Sequence, residues 1–250
     1  MKQPIKKNIF AVIEARMTSS RLPGKVLKLL GDKPALELLV ERLKYSKYLN
    51  GIIIAATINK TDDPIELLAK KIGVKCYRGS EDDVLLRVVE AAEKNNVDII
   101  VEVTGDCPLI DHRIVDKTIE VYLQGEYDYV SNCVQQSYPL GMDVQVFPAR
   151  KLREIEQKTS DPKDREHVSL YFYEKPGRFN IKNIESGLKE SEKNIRLTLD
   201  TADDWRLLNE VVRRLYSKDP NFSLEDILEL FSKSPELAQI NNHVQQKSIR

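Results

Sequence analysis

The stretch IFAVIEARMTSSRLPGK, residues 9–25, decides how this chain begins to fold and where it binds a ligand. Ile9 to Ile13 form an apolar run with the length of a buried strand, and the run ends at Glu14. A polar loop follows directly and carries cationic and hydroxyl side chains, namely Arg16, Thr18, Ser19, Ser20, Arg21 and Lys25. Open α/β sheets bind ligands at the carboxyl ends of their strands. The loop therefore predicts an anion site, and a polyphosphate matches its charge.

This loop does not match the two common phosphate-binding fingerprints. Counted back from Gly24 and Lys25, the first glycine of a Walker A loop would fall on Ser19, and Val26 stands where Ser or Thr should follow the lysine. The sequence contains no GxGxxG either. A solvated loop with incidental charges is the alternative interpretation. The concentration of cations and hydroxyls directly after a buried strand favours the anion site.

Composition restricts the classes of function. The 250 residues suffice for one large α/β domain, and Lys plus Arg equals Asp plus Glu at 39 each, so the formal net charge is zero. This balance, without a basic patch, argues against nucleic acid as a partner. The three cysteines lie far apart, no run approaches the roughly 20 apolar residues of a membrane helix, and the amino terminus lacks the apolar core of a signal peptide. We expect a cytoplasmic protein without a membrane partner.

The pattern of elements predicts the fold class. Strand-length apolar runs alternate with amphipathic helix-length stretches as far as about residue 123, which predicts an α/β fold with an open, mostly parallel sheet and helices on both faces. Shorter elements over residues 126–195 predict a small antiparallel extension. We also expect a helix over residues 165–174, a strand over 195–199, a helix over 201–217 and a frayed polar tail from about residue 239. Without a dividing linker, residues 1–250 are predicted to form a single domain.

Two aspartates are predicted at strand ends. In VTGDCPLI, residues 103–110, Gly105 allows a sharp turn and Asp106 follows at the edge where the opening loop lies. A carboxylate there can hold Mg²⁺, or it can cap the next helix. In LTLDTADDW, residues 197–205, an apolar run ends at Asp200 and a helix begins at once. Capping is a strong alternative for this second motif, since D-T-x-x-D suits a helix start.

The opening loop carries a resemblance to a known family. Ala15-Arg16-x-x-Ser19-x-Arg21-Leu22-Pro23-Gly24-Lys25 resembles the nucleotide-binding loop of the cytidylyltransferases that make CMP-activated sugars, such as the enzymes for 3-deoxy-manno-octulosonate and for sialic acid-type sugars. The similarity covers roughly residues 8–215 and is greatest to the spore-coat polysaccharide biosynthesis branch. It implies a Rossmann-like nucleotidyltransferase fold. It also implies transfer of CMP from CTP to an acidic sugar or related acceptor, with release of pyrophosphate, for surface polysaccharide or glycoconjugate biosynthesis.

The resemblance assigns roles to individual residues. Asp106 matches the family's metal-binding aspartate and Asp200 its second metal carboxylate, so both are expected to hold Mg²⁺, with Asp203 and Asp204 as caps. The implied catalytic residues are Arg16, Arg21, Lys25, Asp106 and Asp200. The implied nucleotide-binding residues are Ala15, Arg16, Ser19, Ser20, Arg21, Lys25, Arg87, Gly105 and Asp106. Arg87 belongs to the S-E-x-D-V-L-x-R stretch of this branch, residues 80–87, near the expected place of the base and sugar.

Two further segments resemble the acceptor pocket of this branch. They are YPLGMDVQVF, residues 138–147, and DREHV, residues 164–168, and the residues they imply are Gly141, Asp143, Arg165, Glu166 and His167. A turn glycine and a solvated helix start are the alternatives for these residues. The branch usually has an acidic residue where Gln145 stands and often Asp where Leu140 stands, so the identity of the acceptor stays open.

Two alternative functions stay open, and the resemblance also implies an oligomeric state. A nucleotide-sugar-dependent glycosyltransferase would present a D-x-D motif after a strand, and Glu126-Tyr127-Asp128 is a loose approximation that precedes one. A non-catalytic nucleotide-binding protein is the second alternative. The resemblance implies a homodimer that uses residues 126–195 for acceptor binding and dimerisation.

Overall fold

The computed structural model describes residues 7–175 and 177–246. Its strands are β1 (Ile9–Glu14), β2 (Leu29–Leu30), β3 (Lys33–Pro34), β4 (Gly51–Thr57), β5 (Lys75–Gly79), β6 (Ile99–Thr104), β7 (Tyr129–Ser131), β8 (Gln145–Pro148) and β9 (Ile181–Asn183). Its helices are α1 (Ala35–Leu43), α2 (Asp63–Lys71), α3 (Val84–Lys94), α4 (His112–Gln124), α5 (Ala149–Glu156), α6 (Pro162–Glu166), α7 (Leu170–Tyr173), α8 (Glu190–Lys193), α9 (Ala202–Leu215) and α10 (Leu224–Lys233).

The strand order confirms the predicted fold class. Among the described residues, seven strands form one sheet in the order β5-β4-β1-β6-β8-β7-β9. Strands β5, β4, β1 and β6 run parallel, with Val12 of β1 opposite Ile53 on one side and Glu102 on the other. Strand β8 is antiparallel to both β6 and β7, which supplies the antiparallel extension within the same sheet. A small hairpin of β2 and β3 was not predicted.

Alternation along β1 divides the core between the two faces of the sheet. Ala11 and Ile13 face the larger core, which contains apolar residues of α1, α4, α9 and α10. Phe10 and Val12 face the other core, which contains residues of α3, α5 and α7. The sheet is thus buried on both sides, as its continuous apolar strands require. In the part of the chain that the structure describes, no helix has the length and apolarity needed to cross a membrane.

Three predictions of local structure are wrong. The helix expected over residues 165–174 is two short helices, α6 and α7, because the chain bends at His167, whose backbone is extended. The stretch expected as a strand over 195–199 lies outside the sheet, although Leu197 N donates to Leu140 O at 2.7 Å. The tail expected to fray from residue 239 forms a turn that buries Asn241, although Asn242, His243, Gln245 and Gln246 are exposed, and residues 247–250 lie outside the described residues.

Candidate active site

The opening loop is built on the carboxyl end of β1. A hydrogen bond from Gly24 N to Met17 O at 2.8 Å joins the two ends of the loop. Gly24 has φ +70°, a conformation that glycine adopts without strain. Asp62 accepts a hydrogen bond from Met17 N at 2.8 Å and so ties the loop to the neighbouring strand connection. Arg16, Ser20 and Arg21 are exposed, Ser19 is half-buried and Ala15 is buried beneath them. The loop thus presents its cations to the solvent above the sheet edge.

Asp106 lies beside this loop because Gly105 permits a close approach of two strands. Gly105 N donates to Glu14 O at 3.0 Å, and a Cβ on residue 105 would lie 2.7 Å from that same oxygen. No larger residue fits there without moving β6 away from β1. The Thr104 hydroxyl donates to Asp106 Oδ1 at 2.6 Å and orients the carboxylate.

The extended segment before α9 brings Asp200 to the same place. Leu199 N donates to Asp106 O at 2.7 Å, and the Thr198 hydroxyl donates to that oxygen at 3.2 Å. The α9 amino terminus follows at once, capped by Thr201 and Asp204 in a capping box. Asp204 therefore acts as a cap, as predicted, whereas Asp203 pairs with Arg206 at 2.7 Å, and Asp200 is left to face the loop.

Lys25 joins the two aspartates. Its Nζ lies 2.8 Å from Asp106 Oδ2 and 2.8 Å from Asp200 Oδ1, and Arg21 Nη2 lies 2.9 Å from Asp200 Oδ1. Burial alone would raise the pKa of Asp106, but Lys25 and Thr104 hold that pKa below its ordinary value. Burial would likewise lower the pKa of Lys25, yet Asp106 and Asp200 raise it. Lys25 and Asp106 are therefore charged at neutral pH.

The two carboxylates fit a hard divalent cation that is shared with a ligand. An oxygen from each already lies within hydrogen-bond distance of one cationic atom, Lys25 Nζ. Within residues 7–175 and 177–246, no group of three or more His, Cys, Asp or Glu side chains could hold a metal. Mg²⁺ is commonly held by one or two carboxylates together with substrate phosphates and water, so two protein ligands suit it.

Arg196 is a site residue that sequence reasoning missed. Its guanidinium is 6% exposed, and its Nη2 donates to Asp200 Oδ2 at 2.8 Å. Its Nε donates to Asp204 Oδ1 at 2.9 Å. The available signal was a single arginine within the apolar run Ile195–Leu199, four residues before Asp200. A charge in such a run must find a buried partner.

Arg16 and Arg87 are occupied on the α3 side of the loop. Arg16 Nη1 lies 3.6 Å from Glu81 Oε1, and the Thr18 hydroxyl donates to the same oxygen. Arg87 is 2% exposed and donates to the carbonyl oxygens of Ser80 and Glu81. Arg87 thus supports the turn that precedes α3, and it lies beneath the surface on which the loop cations are exposed.

The predicted acceptor residues divide into two groups. Gly141 has φ +97°, and Asp143 Oδ2 accepts a hydrogen bond from Gly141 N at 3.2 Å. The pKa of Asp143 is raised to about 6, mainly by burial and also by the charge of Asp106, while the hydrogen bond from Gly141 lowers it. Arg165 instead pairs with Asp83 and Glu156 on the α3 side. Gly141 and Asp143 therefore lie near Asp106, whereas Arg165 already has two carboxylate partners.

Glu166 and His167, the other two predicted acceptor residues, lie at the end of α6. Glu166 is exposed, and His167 N donates to Lys163 O at 2.8 Å as α6 ends. The loose D-x-D candidate has a structural role, because Asp128 accepts hydrogen bonds from Lys151 Nζ and from Asn180 N. Asp128 precedes β7, as expected.

A second carboxylate pair was also missed. Glu14 and Glu102 lie on neighbouring strands, on the face that α3 covers, and neither oxygen of Glu14 has a hydrogen-bond partner among the described residues. Burial and the charge of Glu102 raise the pKa of Glu14 well above its ordinary range, and burial raises the pKa of Glu102 to about 8. A glutamate in each of two apolar strands was the signal in the sequence.

Comparisons with known proteins agree with this geometry. A family model described as cytidylyltransferase matches residues 10–249. The spore coat polysaccharide biosynthesis protein SpsF of Bacillus subtilis is 33% identical over 92% of this chain and 97% of its own. A 3-deoxy-manno-octulosonate cytidylyltransferase of Solibacter usitatus is 27% identical over 91% and 96%. A solved cytidylyltransferase structure from Leptospira borgpetersenii superposes with a TM-score of 0.88 at 34% identity, covering 97% of this chain and 99% of that one.

Proposed function

The chain belongs to the cytidylyltransferase family, and from that premise we propose that it transfers CMP from CTP to an acidic sugar and releases pyrophosphate with the help of Mg²⁺. Membership of the family makes it a CTP-dependent nucleotidyltransferase that acts on a sugar-related acceptor. The acidic class of the acceptor and the metal are the proposed parts. The observation that carries the proposal is the convergence of Asp106 and Asp200 on Lys25 beside a cationic loop.

The loop residues have the charge and position to bind the triphosphate. Arg16, Arg21 and Lys25 would pair with phosphate oxygens and stabilise the pyrophosphate as it leaves, and Ser19 and Ser20 would donate hydrogen bonds. Lys25 would exchange its two carboxylate partners for phosphate when CTP binds, which frees Asp106 and Asp200. Bound there, Mg²⁺ would neutralise charge at the α-phosphate and lower the pKa of the attacking oxygen.

The acceptor side is proposed from position and from the relatives. The charge of Asp106 acts on Asp143, and Gly141 N donates to Asp143 at 3.2 Å, so we infer that an acceptor in line with the α-phosphate would contact that turn. The name of the Solibacter enzyme contains a sugar acid, which supports an acidic acceptor for this chain. Arg165, Glu166 and His167 would contribute from α6, with Arg165 giving up a carboxylate partner to do so.

The test is pyrophosphate release from each of four nucleoside triphosphates with Mg²⁺, against a panel of acidic sugars. We expect release with CTP and an acidic sugar. Asp106→Asn and Asp200→Asn should each lower the rate by roughly 10²–10³ or more, the scale for losing one charged contact in such a site. Asp203→Asn is the matched control. Asp203 lies in the same segment but pairs with Arg206, at 2.7 Å, and not with Lys25. Full activity of Asp200→Asn would refute the two-carboxylate metal site.

We also propose that the protein is a homodimer whose subunits meet through residues 126–195. Strand β9 is an edge strand of the sheet in this extension, and an unpaired edge is a natural surface for association. Light scattering should give about twice the chain mass of 28.7 kDa. A mass equal to one chain would reject the dimer.

A further inference from the structure

The last described residues of the chain contact the residues that hold Asp200. The C-terminal segment, residues 235–246, begins with a 3-10 helix, Pro235–Gln239, whose Leu237 is buried in the larger core. Asn241 is 2% exposed and lies behind Asp200, beside Arg196 and Asp204. This segment is anchored by packing at one end and by polar contacts at the other.

Arg196 transmits these contacts to Asp200. Its guanidinium donates hydrogen bonds on three sides: Nη2 to Asp200 Oδ2 at 2.8 Å, Nε to Asp204 Oδ1 at 2.9 Å, and Nη1 to Gln246 Oε1 at 2.6 Å. A buried guanidinium with a partner at each nitrogen has little freedom to rotate. It therefore fixes the plane of the Asp200 carboxylate.

Asn241 fixes the other side of the same network. Its Nδ2 donates to Arg196 O at 3.1 Å and to Asp204 Oδ1 at 2.8 Å. Asp204 Oδ2 in turn accepts hydrogen bonds from Asp200 N at 3.1 Å and from Thr201 N at 2.9 Å. Asn241 thus holds both the side chain and the backbone on which Asp200 depends.

This arrangement divides the two oxygens of Asp200 between two tasks. Oδ2 is bound to Arg196, which belongs to the supporting network, and Oδ1 faces Lys25 and Arg21 in the site. A carboxylate held in this way offers one oxygen, in one direction, to a cation. Partners behind a ligand commonly control its affinity for a metal, because they set its orientation.

We propose that the C-terminal segment is a positioning element of the active site, in which Asn241 and Gln246 hold Arg196 so that Asp200 presents Oδ1 to the divalent cation. The inference rests on the proposed function, because that function assigns Asp200 to the metal. Asn241, Gln246 and Arg196 are positioning residues, since they act through Asp200.

The experiment measures Mn²⁺ binding to the protein with CTP by electron paramagnetic resonance, without acceptor, so that no turnover is needed. Asn241→Ala and Gln246→Ala should each weaken Mn²⁺ binding about tenfold, the low end of the range for partners of metal ligands. Gln246→Glu keeps an oxygen for Arg196 and should restore wild-type affinity. Adjacent residues provide matched controls: Asn242→Ala, whose amide donates to Gln239, and Gln245→Ala, which is exposed, should stay within about twofold.

A second pair of measurements separates positioning from loss of structure. The KM for CTP at saturating metal and the melting temperature are determined for every variant. A positioning role predicts that KM stays near the wild-type value while Mn²⁺ affinity falls, and that Gln246→Ala, at an exposed position, also keeps the wild-type melting temperature. Wild-type Mn²⁺ affinity in Asn241→Ala and Gln246→Ala would overturn the inference. So would a loss of Mn²⁺ affinity that merely follows a lower melting temperature or an equal loss in Asn242→Ala.

Asp200→Asn distinguishes failure of this inference from failure of the proposed function. If Asp200→Asn binds Mn²⁺ as the wild type does, Asp200 is no ligand and the proposed metal site fails together with the inference. If Asp200→Asn loses binding while Asn241→Ala and Gln246→Ala retain it, the metal site stands and the positioning role is refuted.

Discussion

Lys25 neutralises the site before a nucleotide arrives. Asp106 and Asp200 both lie 2.8 Å from Lys25 Nζ, and the charge of Lys25 between them lowers the pKa of Asp106 against the effect of burial. The same lysine belongs to the loop that would bind phosphate. On the proposed function, phosphate would draw Lys25 away, and Asp106 and Asp200 would then be free to hold the metal.

Glu14 and Glu102 are a second pair of acids, and among the described residues neither oxygen of Glu14 has a hydrogen-bond partner. Two ionised carboxylates on adjacent strands repel each other, and burial disfavours their charge further. Glu102, with its pKa raised to about 8, holds a proton near neutral pH that the unfolded chain releases at a lower pH. Folding stability should therefore depend on pH through this pair.

Replacing Glu102 by glutamine should remove much of that dependence. The folded protein binds more protons than the unfolded chain between about pH 5 and pH 8, so the free energy of unfolding of the wild type falls as the pH rises through this window. Relative to Glu102→Gln, the wild type should lose on the order of 1–3 kcal/mol from pH 5 to pH 8.5, measured by urea denaturation. Glu154→Gln, at an exposed position of α5, is the control and should keep the wild-type profile. Parallel profiles for the wild type and Glu102→Gln would contradict this account.

At the scale of residues, the sequence identified side chains that follow apolar runs better than buried partners. Asp106 and Asp200 could be predicted because each follows an apolar run and comes before a helix. Their meeting at Lys25 depends on a strand order that one sequence does not contain. Arg196 was missed because its partners, Asp204 and Asn241, are distant or resemble ordinary caps and tail residues.

At the scale of elements, the segment 195–200 behaves differently from its sequence pattern. Its alternating apolar residues are typical of a strand, yet it crosses the carboxyl edge of the sheet and bonds to Leu140 and Asp106. The apolar side chains Leu197 and Leu199 are buried in the larger core all the same. Burial of every second residue indicates an extended chain but not a sheet strand. A sheet strand also needs a neighbour with unpaired backbone N–H and C=O groups, and β6 and β8 already pair with each other.

The segment 195–200 contacts the turn before β8 at Gly141. A Cβ at position 141 would lie 2.6 Å from the carbonyl carbon and oxygen of Leu197, and φ there is +97°. Gly141→Ala should therefore cost at least about 3 kcal/mol of stability, because left-handed strain adds to a clash with backbone that cannot rotate away. Pyrophosphate release should fall as well, since Leu197 leads to Asp200.

Gly73→Ala is the matched control for this substitution. Gly73 has φ +70°, and a Cβ there would meet no described atom within 4 Å. Gly73→Ala therefore introduces the conformational strain without a clash, so we expect it to lose about 1 kcal/mol of folding stability and to keep its activity. Equal losses of stability in the two variants, by urea denaturation, would show that the contact with Leu197 has no effect.

At the scale of the whole molecule, the alternation of strands and helices was enough to predict the parallel half of the sheet. The antiparallel addition of β8 between β6 and β7 was not predicted in that position, because strands this short carry little information on register. The helices after residue 200 return to the face opposite α3. They pack into the larger core and also make buried polar contacts with the rest of the molecule, among them one with Asp111 at the start of α4, whose Oδ2 accepts from Leu224 N at 2.8 Å.

Arg42 also makes buried contacts with the C-terminal part of the chain. It is 1% exposed, its Nε donates to Ile110 O at 2.9 Å, its Nη2 donates to Phe222 O at 2.8 Å, and its guanidinium stacks on the Phe222 ring at 4.2 Å. The side chain thereby links α1, the turn after Asp106 and the chain that enters α10. Since one group bridges three parts of the molecule, the C-terminal helices should unfold together with the sheet.

Arg42→Lys should destabilise the whole chain in one step. Lysine keeps the charge, but its single ammonium cannot reach both carbonyl oxygens in the same fork, and it loses the planar stacking on Phe222. A buried polar group left without its partner costs about 1–3 kcal/mol, so we expect a loss near 3 kcal/mol and a melting temperature lower by roughly 10 °C. Arg213→Lys, at an exposed position of α9, should change stability by less than about 0.5 kcal/mol. Calorimetry decides the matter: one shifted transition supports the bridge, whereas an early, separate transition of the C-terminal helices would show that Arg42 does not couple them to the sheet.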